Sequence, residues 1–183
     1  MLSCIKMKNS KELDFIINTL FNEINIKKVD YSKVNYEKIS EITSSHLIIP
    51  CLYVNLRLKK SLSKIPSDFK VYLQKIYSIN KERNLALTNE LVLISNILKK
   101  NKIKHVFVKG SSHIISQIYN DLGERMVSDI DFLTSTDSKT MLTKIFDENG
   151  YFSIKKESFF NQRHLTPRLK KNFLFTIEPH TRL

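Results

Sequence analysis

Apolar residues in the first hundred positions recur with the period of an α-helix. Between Ser10 and Ile26 they follow the i, i+3, i+4, i+7 spacing of an amphipathic helix, and Ser10 is a residue type that caps helix N-termini. The stretch from Ser67 to Lys100 contains neither glycine nor proline and keeps the same period, which predicts one long helix or two stacked helices. The helices predicted before it cover residues 10–26, 34–47 and 50–62.

The pattern changes after Asn101 to short, β-branched apolar runs separated by turn residues. Strands are predicted at residues 105–108, 127–133, 151–154 and 172–180. Helices are predicted at residues 111–120 and 137–150, with Asp137 capping the second and Gly150 just past its end. We therefore expect an α+β protein, in which a helical N-terminal region, residues 1–79, precedes a mixed β-sheet flanked by helices, residues 80–183.

Two aspartates interrupt the second predicted strand, V-S-D-I-D-F-L. Side chains at i and i+2 of a strand point to the same face, so Asp129 and Asp131 stand side by side while Ile130 and Phe132 face the other way. Two adjacent carboxylates repel each other unless a cation lies between them, and a divalent metal ion is the obvious candidate. An Asp-x-Asp pair on a solvated sheet edge is the structural alternative.

The first predicted strand ends in K-G-S-S, residues 109–112. A glycine before a helix lets the backbone approach a phosphate group, and the amide groups and dipole of the helix N-terminus face that phosphate. The hydroxyls of Ser111 and Ser112 add further donors. A glycine between a strand and a helix is also common in ordinary turns, so this motif predicts phosphate binding only in combination with other motifs.

The last predicted strand carries a third carboxylate. In F-T-I-E-P-H, strand alternation places Thr176, Glu178 and His180 on one face. Because Pro179 cannot donate to a sheet ladder, this strand is expected to be an edge strand or to end there. Three carboxylates on neighbouring strands, beside a glycine-serine turn, predict a site for Mg²⁺ and a nucleoside triphosphate.

Composition narrows the class of protein further. The 183 residues carry a formal net charge of +12, which indicates either a generally basic surface or attraction to a polyanion such as a nucleotide or nucleic acid. The apolar runs are shorter than the roughly 18 residues of a membrane span, and no signal-type segment opens the chain. A cytoplasmic protein without a membrane span is expected.

The order of the motifs resembles a known family. The stretches K-G-S, Y-N-D-L-G-E-R, M-V-S-D-I-D-F-L, R-H-L-T-P and I-E-P-H are similar to the uncharacterised nucleotidyltransferase family of the polymerase-beta-like superfamily. The similarity covers residues 80–183, with a weaker likeness in the helical half. It implies a minimal nucleotidyltransferase core that moves a nucleoside monophosphate from a nucleoside triphosphate to a hydroxyl acceptor.

The resemblance also implies a role for each motif residue. Asp129, Asp131 and Glu178 would be the catalytic carboxylates and would hold Mg²⁺, or else Mn²⁺. Glu178 would alternatively act as the base for the acceptor hydroxyl. The residues expected to bind the nucleotide are Lys109, Gly110, Ser111, Ser112, Arg125 and His180, with His164 a weaker candidate.

Two alternatives stay open at the level of sequence. A small molecule, a protein or RNA would all serve as the hydroxyl acceptor. A non-catalytic regulator or binding module of the same fold, antitoxin-like, is the alternative to an enzyme. Family members usually continue beyond the third carboxylate, so a chain that stops at Leu183 is expected to be either naturally short or truncated before an acceptor-binding portion.

Overall fold

A computed structural model describes residues 10–21, 30–135, 139–153 and 165–181 of the chain. The helices are α1 (Lys11–Leu20), α2 (Tyr36–Ser45), α3 (Ile49–Leu58), α4 (Ser67–Lys100), α5 (Lys109–Ile115) and α6 (Lys139–Glu148). The strands are β1 (His105–Phe107), β2 (Asp129–Thr134), β3 (Tyr151–Ser153), β4 (Arg168–Lys170) and β5 (Thr176–His180). A helical half followed by a mixed sheet confirms the predicted α+β class. None of the described helices has both the length and the hydrophobicity needed to cross a membrane.

The chain divides into two compact units. The first comprises the described residues within Met1–Lys81, together with Gly123–Met126, and the second comprises those within Glu82–Leu122 and Val127–Leu183. The sequence pattern predicts a single division between residues 79 and 80, and it carries no signal for the segment that returns to the first unit.

Helices α1 to α3 and the first turns of α4 form the first unit. Phe15 packs edge-on against Tyr31, with ring centroids 5.6 Å apart. The Lys59 ammonium donates to the carbonyl oxygens of Asn18 and Thr19 at 2.7 and 2.6 Å. Carbonyls in the last turn of a helix lack intrahelical partners, so Lys59 closes the end of α1.

Asn80 holds the segment Gly123–Met126 on α4 within the first unit. Its side-chain amide donates to the carbonyl oxygens of Gly123 and Arg125, at 2.8 and 2.9 Å. Gly123 is required for space, because a Cβ atom there would lie 2.6 Å from Cε2 of Tyr77. These contacts fix the backbone of the residues that precede β2 in sequence.

The second unit contains a mixed sheet, whose five described strands lie in the order β1-β2-β5-β4-β3. Strands β2 and β5 run parallel, and the other neighbours are antiparallel. One face of the sheet packs into an apolar core with side chains of α4 and α6. The fully buried members include Leu87, Leu91, Ile94, Ile130, Phe132, Phe146 and Ile177. Burial of each such side chain contributes roughly 1.5–3 kcal/mol. A one-residue shift in register would expose these side chains, so their burial also determines which residues of β2 and β5 project from the opposite face.

Helix α5 differs from its prediction at both ends. The pattern predicts a helix over residues 111–120, whereas α5 spans Lys109–Ile115. The Ser112 N–H already bonds to the Val108 carbonyl, so Gly110 lies inside the first turn of the helix and not before it. The helix ends early because Gln117 adopts a left-handed φ of 50°, a conformation typical of helix C-termini.

The strands after α6 also differ from the pattern. Residues 172–180 are predicted as one strand, whereas β5 begins only at Thr176, after a turn in which Asn172 has a φ of 63°. Strand β4, which pairs with β5 through Arg168 and Ile177, is not predicted by the sequence pattern. Three residues are too few for an alternating pattern to be recognised.

Strand β5 lies inside the sheet, between β2 and β4. Of the two alternatives that Pro179 allows, the edge strand is therefore wrong and the strand end is found. Pro179 is the penultimate residue of β5, beyond the point where β4 pairs with it, and its carbonyl accepts a hydrogen bond from the Leu165 N–H at 2.9 Å. The missing N–H of proline is thus tolerated within an interior strand.

Other predictions are confirmed or fall outside the described residues. Ser67–Lys100 forms one helix, and Gly150 follows α6 with a φ of 80°. Ser10 occupies the N-cap position of α1, although its hydroxyl donates to the Glu12 carboxylate and not to the helix backbone. Asp137, predicted as the cap of α6, and the end of the first predicted helix lie outside the described residues.

Replacing Gly110 by alanine is expected to destabilise the protein by about 1–3 kcal/mol. Among the described glycines only Gly150 has a positive φ, so the backbone of Gly110 tolerates a side chain. The added Cβ atom would instead lie 2.9 Å from Cγ1 of Val127. Denaturant unfolding would measure the loss. If this contact is the cause, Gly110→Ala combined with Val127→Ala loses less than the sum of the single variants; strictly additive losses would contradict it.

Candidate functional site

The parallel pairing of β2 with β5 brings the acidic segments of the two strands into register. Asp131 is the Cα partner of Glu178, and Asp129 is the partner of Thr176. Paired residues of adjacent strands project from the same face of a sheet, and residues two apart in one strand share that face. The acidic side chains and His180 therefore project together from the face opposite the apolar core.

Asp131, Glu178 and His180 form a group that could hold a metal ion. Each offers one ligand atom, and these atoms all lie within 4.8 Å of one another; no other such group of acidic, histidine or cysteine side chains is found among the described residues. The side chains of Asp131 and His180 are almost fully buried, with 1% and 2% exposed, and Glu178 is partly buried. Asp129, predicted as a metal ligand, is not a member of the group.

Two side chains contact the same oxygen of Asp131. His180 Nε2 lies 2.6 Å from Oδ1, and Lys109 Nζ lies 2.8 Å from it. The Lys109 ammonium donates to this oxygen, and His180 donates to it in the tautomer that carries a proton on Nε2. Lys109 Nζ is also 3.5 Å from His180 Nε2. The three residues thus form a compact charged cluster in which Asp131 is the centre.

The surroundings of the second oxygen of Asp131 bear on whether the site suits a metal ion. Oδ2 is buried and has no hydrogen-bond partner among the described residues. A buried carboxylate oxygen without a donor or a cation is costly. Carboxylates suit Mg²⁺ and Mn²⁺, imidazole is a common ligand of divalent transition metals, and Mg²⁺ is usually bound by carboxylates together with substrate phosphates. The residues present are therefore a chemically appropriate set for a divalent cation.

Lys109 approaches the cluster from the first position of α5. Its φ is 52°, in the left-handed region that lysine rarely adopts, and its side chain remains half exposed. The hydrogen bond to Asp131 raises the pKa of the Lys109 ammonium, with smaller contributions from the charges of Asp131, Asp129 and Glu178. The ammonium is therefore firmly protonated beside the acidic strands.

Beyond the end of β1, the Ser111 hydroxyl takes the place of a strand as hydrogen-bond partner of β2. The last Cα pair between β1 and β2 joins Phe107 to Phe132, and beyond it the Val108 N–H bonds to the Asp131 carbonyl at 3.0 Å. The Asp131 N–H donates to the Ser111 hydroxyl at 3.1 Å. Because Ser111 is fully buried, this hydroxyl positions the Asp131 backbone.

The other predicted phosphate-binding residues occupy the same short helix. Gly110 packs against Val127, and the Ser112 hydroxyl donates to the Lys109 carbonyl at 2.8 Å. The hydrogen bonds of Ser111 and Ser112 are thus made to the protein backbone. Phosphate binding by these residues stays a prediction.

The remaining predicted site residues are not members of the group of Asp131, Glu178 and His180, or they fall outside the described residues. Asp129 is half-buried, and its carboxylate accepts a hydrogen bond from the Ser128 hydroxyl at 3.2 Å. Arg125 belongs to the first compact unit, where Asn80 binds its carbonyl oxygen. His164 lies outside the described residues.

Part of this arrangement can be predicted from the sequence. The sequence predicts that His180 binds the nucleotide, which stays a prediction, and in the structure the His180 side chain contacts Asp131. The i+2 spacing of His180 from Glu178 is a signal that the two residues occupy one face of a strand. The direct contact between Lys109 and Asp131, 22 residues apart in sequence, had no such signal.

Comparison with known proteins places the chain in a family. Divalent metal ions serve as catalysts in enzymes that act on phosphate esters, such as phosphatases and polymerases. The model of the family described as "Uncharacterised nucleotidyltransferase" matches residues 32–183, and the chain belongs to that family. This confirms the resemblance and extends it well into the helical half. No curated protein and no solved structure matches the chain.

Ser111→Ala is expected to lower the free energy of unfolding by about 1–3 kcal/mol, because it leaves the buried Asp131 N–H without its partner. Ser112→Ala is the matched control. It removes the same hydroxyl from the neighbouring residue, where the bond to Lys109 is exposed, and should cost less than about 0.5 kcal/mol. Denaturant unfolding of both variants measures the difference, and equal losses would rule out the positioning role of Ser111.

Proposed function

We propose that this protein transfers a nucleoside monophosphate from a nucleoside triphosphate to a hydroxyl acceptor, with Mg²⁺ or Mn²⁺ as its cofactor. The observation that carries the proposal is the in-register pairing of Asp131 with Glu178, in a chain that belongs to a nucleotidyltransferase family. Asp131, Glu178 and His180 would hold the metal. When bound, it would neutralise charge on the phosphates during the displacement.

Asp129 would serve the acceptor. It projects from the same strand face as Asp131, yet it is only half-buried and lies outside the metal-binding group. A carboxylate placed this way can accept the proton of an incoming hydroxyl. The hydroxyl oxygen forms a bond to the α-phosphorus, the bond from that phosphorus to the bridging oxygen breaks, and pyrophosphate leaves with the electron pair.

The start of α5 would bind the leaving phosphates. The Lys109 ammonium and the amide groups of Gly110 and Ser111, which precede the first helical hydrogen bond, are positive groups next to the acidic strands. The Ser112 hydroxyl would add a donor at the phosphates. Positioning and charge neutralisation are what this kind of displacement chiefly requires from a protein.

One observation favours the alternative, a non-catalytic binding module. Lys109 already neutralises the buried Asp131 carboxylate, so the cluster is compatible with folding without a metal. The acceptor would be a small molecule, a protein or RNA. An assay that detects transfer onto any acceptor therefore distinguishes the two functions.

Transfer is tested by incubating the protein with Mg²⁺ or Mn²⁺, each α-labelled nucleoside triphosphate and a cell extract as the source of acceptors. The wild type should label an acceptor, and Asp131→Asn and Glu178→Gln should each reduce the rate at least about a hundredfold. Glu148→Gln is the matched control, because Glu148 is exposed on α6 and pairs only weakly with Lys144, at 3.9 Å. Equal labelling by all four proteins, or labelling by none, contradicts the proposed enzyme.

A further inference from the structure

Lys109 and Asp131 form an unequal ion pair. Their atoms Nζ and Oδ1 are 2.8 Å apart, but the Lys109 side chain is 52% exposed whereas that of Asp131 is 1% exposed. A buried carboxylate needs a partner charge, while a half-exposed ammonium can be solvated by water at little cost. The lysine is therefore the partner that can leave.

The backbone of Lys109 is held in a conformation that does not suit lysine. Its φ of 52° is normally occupied by glycine or asparagine, and β-carbon crowding makes it unfavourable for a lysine. The adjacent Val108 amide is bound to the Asp131 carbonyl, which keeps this point of the chain beside β2. The backbone around residue 109 thus holds the Lys109 ammonium beside the Asp131 carboxylate.

The position of the ammonium overlaps with the proposed metal site. Lys109 Nζ contacts Asp131 Oδ1 and lies 3.5 Å from His180 Nε2, and both of these residues belong to the metal-binding group. An ammonium and a divalent cation that share one carboxylate repel each other, because both are positively charged. Binding of a metal to this group therefore weakens the contact between Lys109 and Asp131, and the half-exposed ammonium can leave it for water.

Resting on the proposed function, we propose that Lys109 is a resident counter-ion that competes with the divalent metal for Asp131 and is released onto the phosphates of the nucleoside triphosphate. The triphosphate offers the displaced ammonium a new anionic partner. Metal binding and nucleotide binding thereby strengthen each other, and by linkage the strengthening is the same in both directions. The free protein holds the metal weakly, and the protein with bound triphosphate holds it tightly.

The test is the affinity for Mn²⁺, measured by EPR of the unbound ion, with and without a non-hydrolysable nucleoside triphosphate. Lys109→Met removes the competing charge, and without nucleotide it should bind Mn²⁺ at least about tenfold more tightly than the wild type. Lys109→Asn should do the same, and asparagine tolerates the left-handed backbone, so it serves if the methionine variant folds poorly. In both variants the nucleotide should strengthen Mn²⁺ binding less than in the wild type.

Two control variants separate competition from structural damage. Lys109→Arg keeps the charge and should bind Mn²⁺ as weakly as the wild type without nucleotide. Lys99→Met makes the same substitution at an exposed lysine at the end of α4 and should also match the wild type. Merely structural damage at residue 109 would weaken Mn²⁺ binding and not strengthen it.

The outcomes distinguish this inference from the proposed function. If Lys109→Met and Lys109→Asn bind Mn²⁺ no more tightly than the wild type, while Asp131→Asn abolishes binding, the competition is wrong and the metal site stands. If none of the proteins binds Mn²⁺, with or without nucleotide, the competition and the metal-dependent function are both overturned.

Discussion

The burial of the Asp131 carboxylate is the constraint on which the rest of the site depends. Its side chain is 1% exposed and stands on an interior strand, so its charge must be compensated from within the protein or by a bound cation. His180 and Lys109 contact one oxygen, and the other oxygen has no partner among the described residues. The charge of Asp131 is thus compensated in the folded protein, and its second oxygen, Oδ2, is left for a ligand.

The surrounding fold serves to hold that carboxylate in place. Parallel pairing with β5 places Glu178 beside it, and the apolar face of both strands, with Ile130 and Ile177 fully buried, prevents a slip in register. On the other side β1 ends after Phe107, and the buried Ser111 hydroxyl takes over as hydrogen-bond partner of the Asp131 amide. The start of α5 is therefore joined to the acidic strand by the same contacts that complete the sheet.

The sequence predicted those parts of the fold that depend on local periodicity. The helix over Ser67–Lys100 and the two-residue alternation of Asp129 and Asp131 follow from the spacing of apolar side chains. The order of strands and the parallel register of β2 with β5 depend on contacts between distant residues, for which one sequence has no periodic signal. The predicted start of α5 is wrong because a glycine before a helix is typical of a turn, whereas Gly110 lies in the first helical turn, where the absence of a side chain lets it pack against Val127.

Pulsed EPR of bound Mn²⁺ shows whether Asp131, Glu178 and His180 jointly hold a divalent cation. A coordinated imidazole gives a hyperfine coupling to nitrogen that carboxylate ligands cannot give. We expect this coupling in the wild type and its loss in His180→Gln. Bound Mn²⁺ without a nitrogen coupling, or with one that persists in His180→Gln, would show that His180 is not a ligand of the metal.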